Sequence, residues 1–286
     1  YLSLIMVLLF VVLTLSPGEI TAASAVSRIG GADRYQTAGN ISKQGWSYSD
    51  LVVLARGDEY ADALSGVPLA SWYNAPMLLT RGNSLPDSTL NEIERLGADK
   101  VIILGGTKAV SAEVEKKLTD KSLEVERIAG ENRFATAAQI ARELGTQDKV
   151  FLAYGYNFPD ALAAASYAGQ LGCPILLTDT ETIPACTEAL LKDADTVYVV
   201  GGERVISEKV FTRLNQDLAN LAVRLAGGDR YETAVELAIQ FNRDHENMYA
   251  ATGLKFPDAI SGAALAAKNH TGILLVREFV PECVEN

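Results

Sequence analysis

Cysteine and histidine are scarce in this chain of 286 residues, which has three cysteines and two histidines. The number of cysteines is odd, and no two of them form a C-x-x-C pair, which argues against a disulfide framework. They are Cys173, Cys186 and Cys283. His245 and His270 have no companion at the spacing of a metal-binding motif. We therefore expect neither a structural metal site nor a disulfide-stapled fold.

Runs of basic residues are also missing, and the formal net charge is −11. A protein of this charge repels the phosphate backbone of nucleic acid, so no nucleic-acid partner is expected. Binding of another polyanion requires a local group of cations that outweighs the overall field. The chain also lacks the G-x-G-x-x-G and P-loop patterns that hold nucleotide phosphates, so no cofactor is expected.

The N-terminal segment lacks an initial methionine and any basic residue, and residues 2–15 form an apolar run of 14 residues. A bilayer-spanning helix takes about 20 residues, whereas this length suits the hydrophobic region of a secretory signal. Ala23-Ser24-Ala25 has the small-x-small pattern of a cleavage site. We interpret residues 1–25 as a signal peptide, incomplete at its N-terminus, which predicts export and no membrane association after cleavage. An uncleaved membrane anchor is the alternative.

What the sequence does have is a threefold internal repeat. An opening block of the pattern R-[IL]-x-G-x-x-R-[YF]-x-T-A begins at Arg28, Arg127 and Arg224, with spacings of 99 and 97 residues. Three further blocks, AYGYNFPDAL, PILLT and VYVVGG in the middle copy, keep their order, but the last copy has no counterpart of VYVVGG. The sequence thus predicts repeats over residues 26–123, 124–220 and 221–286, the third of them incomplete.

Each repeat reads as alternating strands and helices. Apolar strands, such as residues 196–200, are separated by segments with helical spacing. Asn132 suits the N-cap of the first helix of the middle copy, and Asp33 and Asp229 hold the same position in the others. Continuous apolar strands between helices indicate a parallel sheet covered on both faces. The expected fold is α/β, with three Rossmann-like or flavodoxin-like units arranged as a pseudo-trimer.

Charged residues recur at fixed positions in every copy. An arginine just inside a helix start opposes the helix dipole, so its recurrence suggests a specific partner. These residues are Arg34, Arg133 and Arg230, and a second set, Arg28, Arg127 and Arg224, lies six residues earlier. An aspartate in the first turn of the next helix recurs as Asp62, Asp160 and Asp258.

Two interpretations of these charges compete. In the first, a bidentate Arg–Asp ion pair within each repeat fixes the loops, and the aspartates are structural. In the second, both sets of arginines face phosphate or carboxylate groups of a polymer. An arginine that is buried in a pair is not available to a ligand, so the two roles exclude each other at any one residue.

Other recurrent features have structural interpretations. The Gly-Gly pairs at 105–106 and 201–202 suit a tight strand-to-loop turn better than a phosphate site, because the next helix begins about five residues later. Cys186 and Cys283 share a repeat position that Ser88 holds in the first copy, which indicates helix packing. Catalysis is not expected, because the histidines do not recur beside a nucleophile and the recurrent carboxylates come one per repeat.

Together these blocks resemble the cell wall binding repeat 2 family of Gram-positive bacteria, in which three repeats occur in tandem, and the resemblance extends from Arg28 to about Asn286. It implies an exported protein held non-covalently at the cell wall or cell surface. The implied ligand is an anionic wall polysaccharide or teichoic-type polymer, as in clostridial surface-layer relatives. The resemblance also implies a monomer in which three Rossmann-like units pack as a pseudo-trimer.

Two departures from the family pattern are visible. The first repeat has Tyr60-Ala61-Asp62 where the family has Phe-Pro-Asp, and the third lacks its final strand, Gly-Gly turn and helix. A module without that part exposes a sheet edge, which predicts lower stability than the complete module. Two alternative functions stay open: the anchor of an amidase or protease whose catalytic domain lies beyond Asn286, and a structural surface-layer or adhesion protein.

Overall fold

The computed structural model describes residues 26–145, 148–241 and 247–285. The predicted signal peptide and His245 lie outside these residues. Helices and strands alternate along the described chain. The helices are α1 (Arg34–Gly45), α2 (Ala61–Trp72), α3 (Asp87–Leu96), α4 (Ala112–Thr119), α5 (Arg133–Glu143), α6 (Pro159–Leu171), α7 (Ala185–Leu191), α8 (Glu208–Gln216), α9 (Arg230–Phe241), α10 (Pro257–Lys268) and α11 (Glu282–Glu285). The strands are β1 (Leu51–Arg56), β2 (Met77–Thr80), β3 (Lys100–Leu104), β4 (Glu124–Ile128), β5 (Lys149–Tyr154), β6 (Ile175–Thr178), β7 (Thr196–Val200), β8 (Leu221–Leu225), β9 (Tyr249–Thr252) and β10 (Ile273–Val276).

The strands form three parallel sheets. Two of them have four strands, in the orders β2-β1-β3-β4 and β6-β5-β7-β8, and the third has the order β10-β9. Strands β2 and β6 are buried along their whole length, because helices cover both faces of the sheets. The predicted parallel α/β fold of three tandem units is confirmed, with the third unit truncated.

The outermost strand of each complete sheet comes from the opening motif of the next repeat. Strand β4 pairs with β3 from Lys100↔Glu124 to Leu104↔Ile128. Strand β8 pairs with β7 in the same way. The sheets therefore end after Ile128 and Leu225, a few residues inside the next sequence repeat, and each unit is tied to its successor through backbone hydrogen bonds.

Three alanine-rich helices, α2, α6 and α10, pack against one another at the centre of the molecule. Around them, α5 packs on α2, α9 on α6 and α1 on α10, so the first helix of each repeat lies on the central helix of the repeat before it in a closed circle. Close approach depends on small residues: a Cβ added at Gly169 would lie 2.9 Å from Ala267 Cβ and 3.2 Å from Ser71 Cβ. We call α2, α6 and α10 the axis helices of this pseudo-threefold ring.

The first helix of every repeat begins at the predicted N-cap. The side chains of Asp33, Asn132 and Asp229 each accept hydrogen bonds from the backbone N–H groups two and three residues later. Such a cap contributes about 1 kcal/mol. It also fixes the helix start and thereby the position of the arginine that follows the cap.

The third unit differs from the others in burial. The corresponding strands β1 and β5 are buried over most of their length, whereas every residue of β9 is at least partly exposed. Strands β1 and β5 each pair with two strands, whereas β9 pairs with only one, β10, among the described residues. Among the described residues, no helix combines the length and the apolar character that are needed to cross a membrane.

Candidate ligand-binding site

The first set of recurrent arginines lies where the first strand of each unit ends. Each guanidinium donates through Nη1 to the carbonyl of the glycine after that strand, Arg34 to Gly57 at 2.5 Å, Arg133 to Gly155 at 2.7 Å and Arg230 to Gly253 at 2.5 Å. Within the described residues, none of these three arginines forms an ion pair at 4 Å or less. They are three half-buried cations held in place by neutral partners.

Asp62 and Asp160 contact the next repeat, and neither forms an ion pair at 4 Å or less with the recurrent arginine of its own repeat, which was one of the two interpretations of the sequence. Asp160 Oδ1 accepts a hydrogen bond from Thr233 Oγ1 at 3.1 Å. Asp62 is hydrogen-bonded to Thr136 and lies in the field of Arg133, both from the second repeat. The physical reason is the ring: the first helix of one repeat packs on the axis helix of the preceding one, and this brings its threonine to the aspartate.

The electrostatics of these aspartates is dominated by burial. Burial raises the pKa of Asp62 and of Asp160, and the threonine hydrogen bond and the arginine charge only partly oppose it. Asp258 interacts with the charge of Arg34 in the first repeat, which completes the circle, but its side chain is exposed. Asp62 and Asp160 are thus joints between repeats and are only partly exposed, whereas Asp258 is exposed and has no threonine hydrogen bond of this kind.

Three aromatic rings meet at the N-terminal ends of the axis helices. The ring centroids of Tyr60, Phe158 and Phe256 are 5.5, 5.6 and 6.0 Å apart, and each ring is partly exposed. We call these residues the aromatic triangle. The triangle was not predicted from the sequence, although an aromatic residue stands two positions before every recurrent aspartate. That recurrence is the signal that would have found the triangle.

Arg133 joins the aromatic triangle directly. Its Nη1 donates to Tyr60 Oη at 3.0 Å, and its guanidinium lies 5.6 Å from the Tyr60 ring and 5.2 Å from the Tyr156 ring. Tyr60 in turn donates to the Gly155 carbonyl at 3.1 Å. Since the side chain of Tyr156 is 53% exposed, a cation and several aromatic faces border solvent at this junction of the first and second repeats.

Two further arginines stand beside the same strand ends and were not singled out from the sequence. Arg81 lies 4.9 Å from the Tyr35 ring, and Arg277 lies 4.5 Å from the Tyr231 ring. They occupy one repeat position, but the middle copy has Asp179 there. Since the arginine does not recur in all three copies, the repeat pattern does not mark this position. They lie next to Arg34 and Arg230, in the first and third repeats, and Arg277 forms an ion pair with Asp229 at 3.3 Å.

Arg127 and Arg224 serve the fold rather than an open surface. Their Nη1 atoms donate to the carbonyls of Gly105 and Gly201, at 2.7 and 3.0 Å. Arg127 also forms an ion pair with Glu115 at 2.6 Å. Their side chains are only 16% and 18% exposed. The Gly-Gly turns that they hold are tight strand-to-loop turns, as expected, with φ of +95° at Gly105 and +112° at Gly201.

The remaining candidates form no reactive site in the part of the chain that the structure describes. Arg28 is exposed and contacts no described residue through a hydrogen bond or ion pair. The cysteines are all free thiols, and burial raises the pKa of Cys173 to about 11. No group of three or more histidine, cysteine, aspartate or glutamate side chains is arranged there to hold a metal ion.

Three α/β units in a ring, with arginines and aromatic rings at the strand ends, define a tandem-repeat binding module. The sequence profile of Cell wall binding domain 2 (CWB2) matches residues 28–115, 127–211 and 224–283. The chain belongs to this family. Its function is therefore anchoring to the cell wall, and the chain is located there. The resemblance seen in the sequence is confirmed.

Known relatives share both sequence and fold with the chain. It is 37% identical over 256 residues to N-acetylmuramoyl-L-alanine amidase LytC of Bacillus subtilis (strain 168), covering 89% of this chain and 51% of the relative. It is 33% identical over 258 residues to the amidase enhancer of the same organism, covering 89% of this chain and 35% of the relative. Among solved structures, Cwp8 from Clostridium difficile superposes with a TM-score of 0.84 at 34% identity, covering 90% of this chain and 46% of its own. Cwp6 from the same organism superposes with a TM-score of 0.83 at 32% identity, covering 91% of this chain and 44% of its own. The chain thus spans about half the length of these relatives, or less.

Proposed function

We propose that Arg34, Arg133 and Arg230, together with the aromatic triangle, bind an anionic glycopolymer of the cell wall. The observation that carries the proposal is that these three cations are half-buried and have no ion-pair partner among the described residues of an acidic protein. A cation that is already partly desolvated loses little more hydration when a phosphate or carboxylate approaches. A bound anion would add a direct ionic contact to the longer-range interactions of Arg133, Arg230 and Arg34 with Asp62, Asp160 and Asp258.

The position in the fold supports the same ligand. In open parallel sheets, ligands bind at the carboxyl ends of the strands. The three axis helices begin here, and the partial positive charges of their N-termini add to the three guanidinium groups. These positive groups stand beside the carboxylates of Asp62, Asp160 and Asp258, one in the first turn of each axis helix.

The aromatic triangle suits the sugar part of such a polymer. Ring faces present apolar surface with a fixed geometry, and the C–H faces of a pyranose ring are apolar as well. Tyr60 and Tyr156 add hydroxyl groups that can hydrogen-bond to sugar oxygens. Anions and sugars would then be recognised side by side, by arginine and by aromatic rings respectively.

This assignment leaves Arg127 and Arg224 out of the ligand site. Both are held by glycine carbonyls, and their charges face Glu115 and Glu208 in ion pairs of 2.6 and 3.6 Å. We propose that the module acts as a monomer, because the pseudo-threefold ring already brings three equivalent sites together in one chain. Export by the predicted signal peptide and surface-layer association are part of the same proposal.

Sedimentation with purified Gram-positive walls tests the proposal. The protein is expected to pellet with intact walls, to stay in solution with walls stripped of anionic polymer, and to be released by free polymer. Because salt screens exposed charges, retention is expected to fall as ionic strength rises. Equal retention on stripped walls, or retention that salt does not change, contradicts the anionic ligand.

A second function, wall modification by a longer protein, is favoured by the relatives. One is an amidase and another an amidase enhancer, and each extends well beyond the region matched here. We propose that any hydrolase activity belongs to such a further region, and that residues 26–286 bind without catalysis. An amidase assay on purified walls is expected to show no release of peptide by this chain; release would overturn that assignment. A structural surface-layer or adhesion protein is the remaining alternative.

A further inference from the structure

The strand-end sites of the first and second repeats are equivalent in position but different in chemistry. The last residue of the first strand is Arg56 in one and Tyr154 in the other. Two further positions change between the same repeats, and they hold Arg81 and Asp179, and Asp58 and Tyr156. All these side chains are exposed or partly exposed, so the exchanges alter what the two sites can bind.

The first repeat presents two arginines at one aromatic ring. The Arg81 guanidinium lies 4.9 Å from the centroid of the Tyr35 ring. Burial raises the pKa of Tyr35, and the charges of Arg34 and Arg81 oppose this rise, which places both cations close to the same ring. Asp58 forms its ion pair with Arg56, at 2.8 Å between Oδ2 and Nη2. Among the described residues, neither Arg34 nor Arg81 forms an ion pair at 4 Å or less.

The second repeat presents a cation among aromatic rings. The guanidinium of Arg133 lies within 6 Å of the ring centroids of Tyr60 and Tyr156. The Tyr156 ring in turn lies 5.8 Å from the Tyr154 ring and 5.5 Å from the Phe134 ring, both in edge contacts. Because the faces of aromatic rings carry partial negative charge, they stabilise this cation without an anion.

Asp179 places a negative charge at the edge of the second site. It directly follows β6 and stands where the other repeats have Arg81 and Arg277. It is partly exposed and forms no ion pair at 4 Å or less within the described part of the chain. A phosphate or carboxylate is attracted by an arginine at this position and repelled by an aspartate, whereas a sugar hydroxyl can donate a hydrogen bond to the aspartate. The third repeat is intermediate, since Arg277 is paired with Asp229.

We propose that the second repeat binds an uncharged sugar ring of the wall polymer and that the first repeat binds an anionic group of it. The exposed face of Tyr156 packs against the apolar C–H face of a pyranose. Asp179 accepts hydrogen bonds from the sugar hydroxyls, and Arg133 donates hydrogen bonds to their oxygens. Arg34 and Arg81 together hold a phosphate or carboxylate. This inference rests on the proposed function and divides its binding surface into two subsites of different specificity.

Two probes separate the subsites, because each carries only one of the two chemical groups. Tripolyphosphate is an anion without a sugar, and the neutral tetrasaccharide of N-acetylglucosamine is a sugar without a charge. Nuclear magnetic resonance titrations of the ¹⁵N-labelled chain give a dissociation constant for each probe. Binding of tripolyphosphate is expected to weaken as ionic strength rises, and binding of the tetrasaccharide is expected to stay constant.

Three variants exchange residues between repeats, so that each new side chain already occurs at the same position elsewhere in the chain. Tyr156→Leu, which copies Leu254, should weaken tetrasaccharide binding at least about threefold and leave tripolyphosphate binding unchanged. Arg81→Asp, which copies Asp179, should weaken tripolyphosphate binding at least about tenfold and leave tetrasaccharide binding unchanged. Asp179→Arg should strengthen tripolyphosphate binding, because it brings a second cation to the site of Arg133.

Matched controls make the same chemical changes outside the two sites. Tyr48→Leu removes an exposed tyrosine, and Arg142→Asp reverses an exposed charge. Both should bind the two probes as the parent does. Circular dichroism melting shows which variants are folded at the temperature of the titrations, and if Tyr156→Leu or Arg81→Asp is not folded, Asp179→Arg decides.

Three results overturn the inference. The first is a parent chain that does not bind the tetrasaccharide. The second is a folded Tyr156→Leu or Arg81→Asp variant that weakens both probes equally. The third is an Asp179→Arg variant that leaves tripolyphosphate binding unchanged. Wall sedimentation is read separately: a chain that separates the probes but does not pellet with walls contradicts the proposed function, whereas a chain that pellets but does not separate the probes contradicts only this inference.

Discussion

Thr233 Oγ1 in the third repeat lies 3.1 Å from Asp160 Oδ1 in the second. The same hydroxyl accepts a hydrogen bond from the Gly227 N–H at 3.0 Å. One small side chain thus ties the opening loop of its own repeat to the axis helix of the preceding repeat. Neighbouring units are joined by such polar contacts as well as by the packing of the axis helices, and this makes the ring sensitive to single substitutions.

Replacing Thr233 with valine keeps the side-chain shape and removes the hydroxyl. We expect Thr233→Val to lower the free energy of unfolding by about 1–3 kcal/mol, because the Asp160 carboxylate loses its partner in a largely buried place. Denaturant unfolding followed by circular dichroism measures this. Thr37→Val is the control: Thr37 also accepts from a glycine N–H, Gly31, but has neither a hydrogen bond to Asp258 nor the one that Thr233 Oγ1 makes to the Asp229 carbonyl at 3.0 Å. Equal losses for the two variants would contradict the role of the Asp160 contact.

The charge of Asp160 is expected to reduce stability at neutral pH. Burial raises its folded pKa, so the protein gains stability as pH falls through that pKa and loses it as pH rises. Asp160→Asn keeps Oδ1 as an acceptor and removes the charge. Its stability relative to the parent should be highest near neutral pH and should decline as pH falls towards about 4, the ordinary pKa of aspartate.

Unfolding curves at a series of pH values measure this dependence. Asp217→Asn, at an exposed position, is the control and should show little of it. A relative stability of Asp160→Asn that rises as pH falls would mean that the folded pKa is lowered, which would contradict the account.

The Gly-Gly turns offer a test of the backbone geometry. Gly105 has φ of +95°, and a Cβ there would meet the Asp62 carboxylate and Ala109. We expect Gly105→Ala to cost about 1–3 kcal/mol of stability from the left-handed conformation, and more from the clash. At Gly106 an added Cβ meets nothing within 4 Å, so Gly106→Ala is the matched control and should be close to neutral. The melting temperatures of both variants measure this. A lower melting temperature for Gly105→Ala alone supports the strained turn, and equal melting temperatures would contradict it.

Much of the fold could be predicted from the sequence because the chain contains three versions of the same pattern. The N-caps at Asp33, Asn132 and Asp229 and the tight turns at Gly105 and Gly201 depend on local backbone chemistry, which the residue types reveal. Parallel sheets followed from apolar strands alternating with helices. These features can be predicted without knowing which repeats contact each other.

Contacts between repeats could not be predicted in this way. The sequence left open an ion pair between an arginine and an aspartate of one repeat, whereas Asp62 and Asp160 face threonines of the following repeat. Sequence spacing fixes where a side chain lies within its own unit, whereas the ring geometry decides which neighbour it meets. The aromatic triangle was missed for the same reason, since its three rings come together only around the axis.

The central claim is that Arg34, Arg133 and Arg230 hold the anionic polymer, and its most direct test is the affinity for purified wall polymer. The triple variant Arg34→Gln, Arg133→Gln, Arg230→Gln is compared with a control that loses the same charge at exposed positions, Lys116→Gln, Arg142→Gln, Lys192→Gln. Both are measured below their melting transitions, with circular dichroism showing that each is folded. We predict a loss of affinity of at least about tenfold for the first variant, equivalent to about 1.4 kcal/mol, and a much smaller loss for the control. Equal affinities of the two folded variants would contradict the claim.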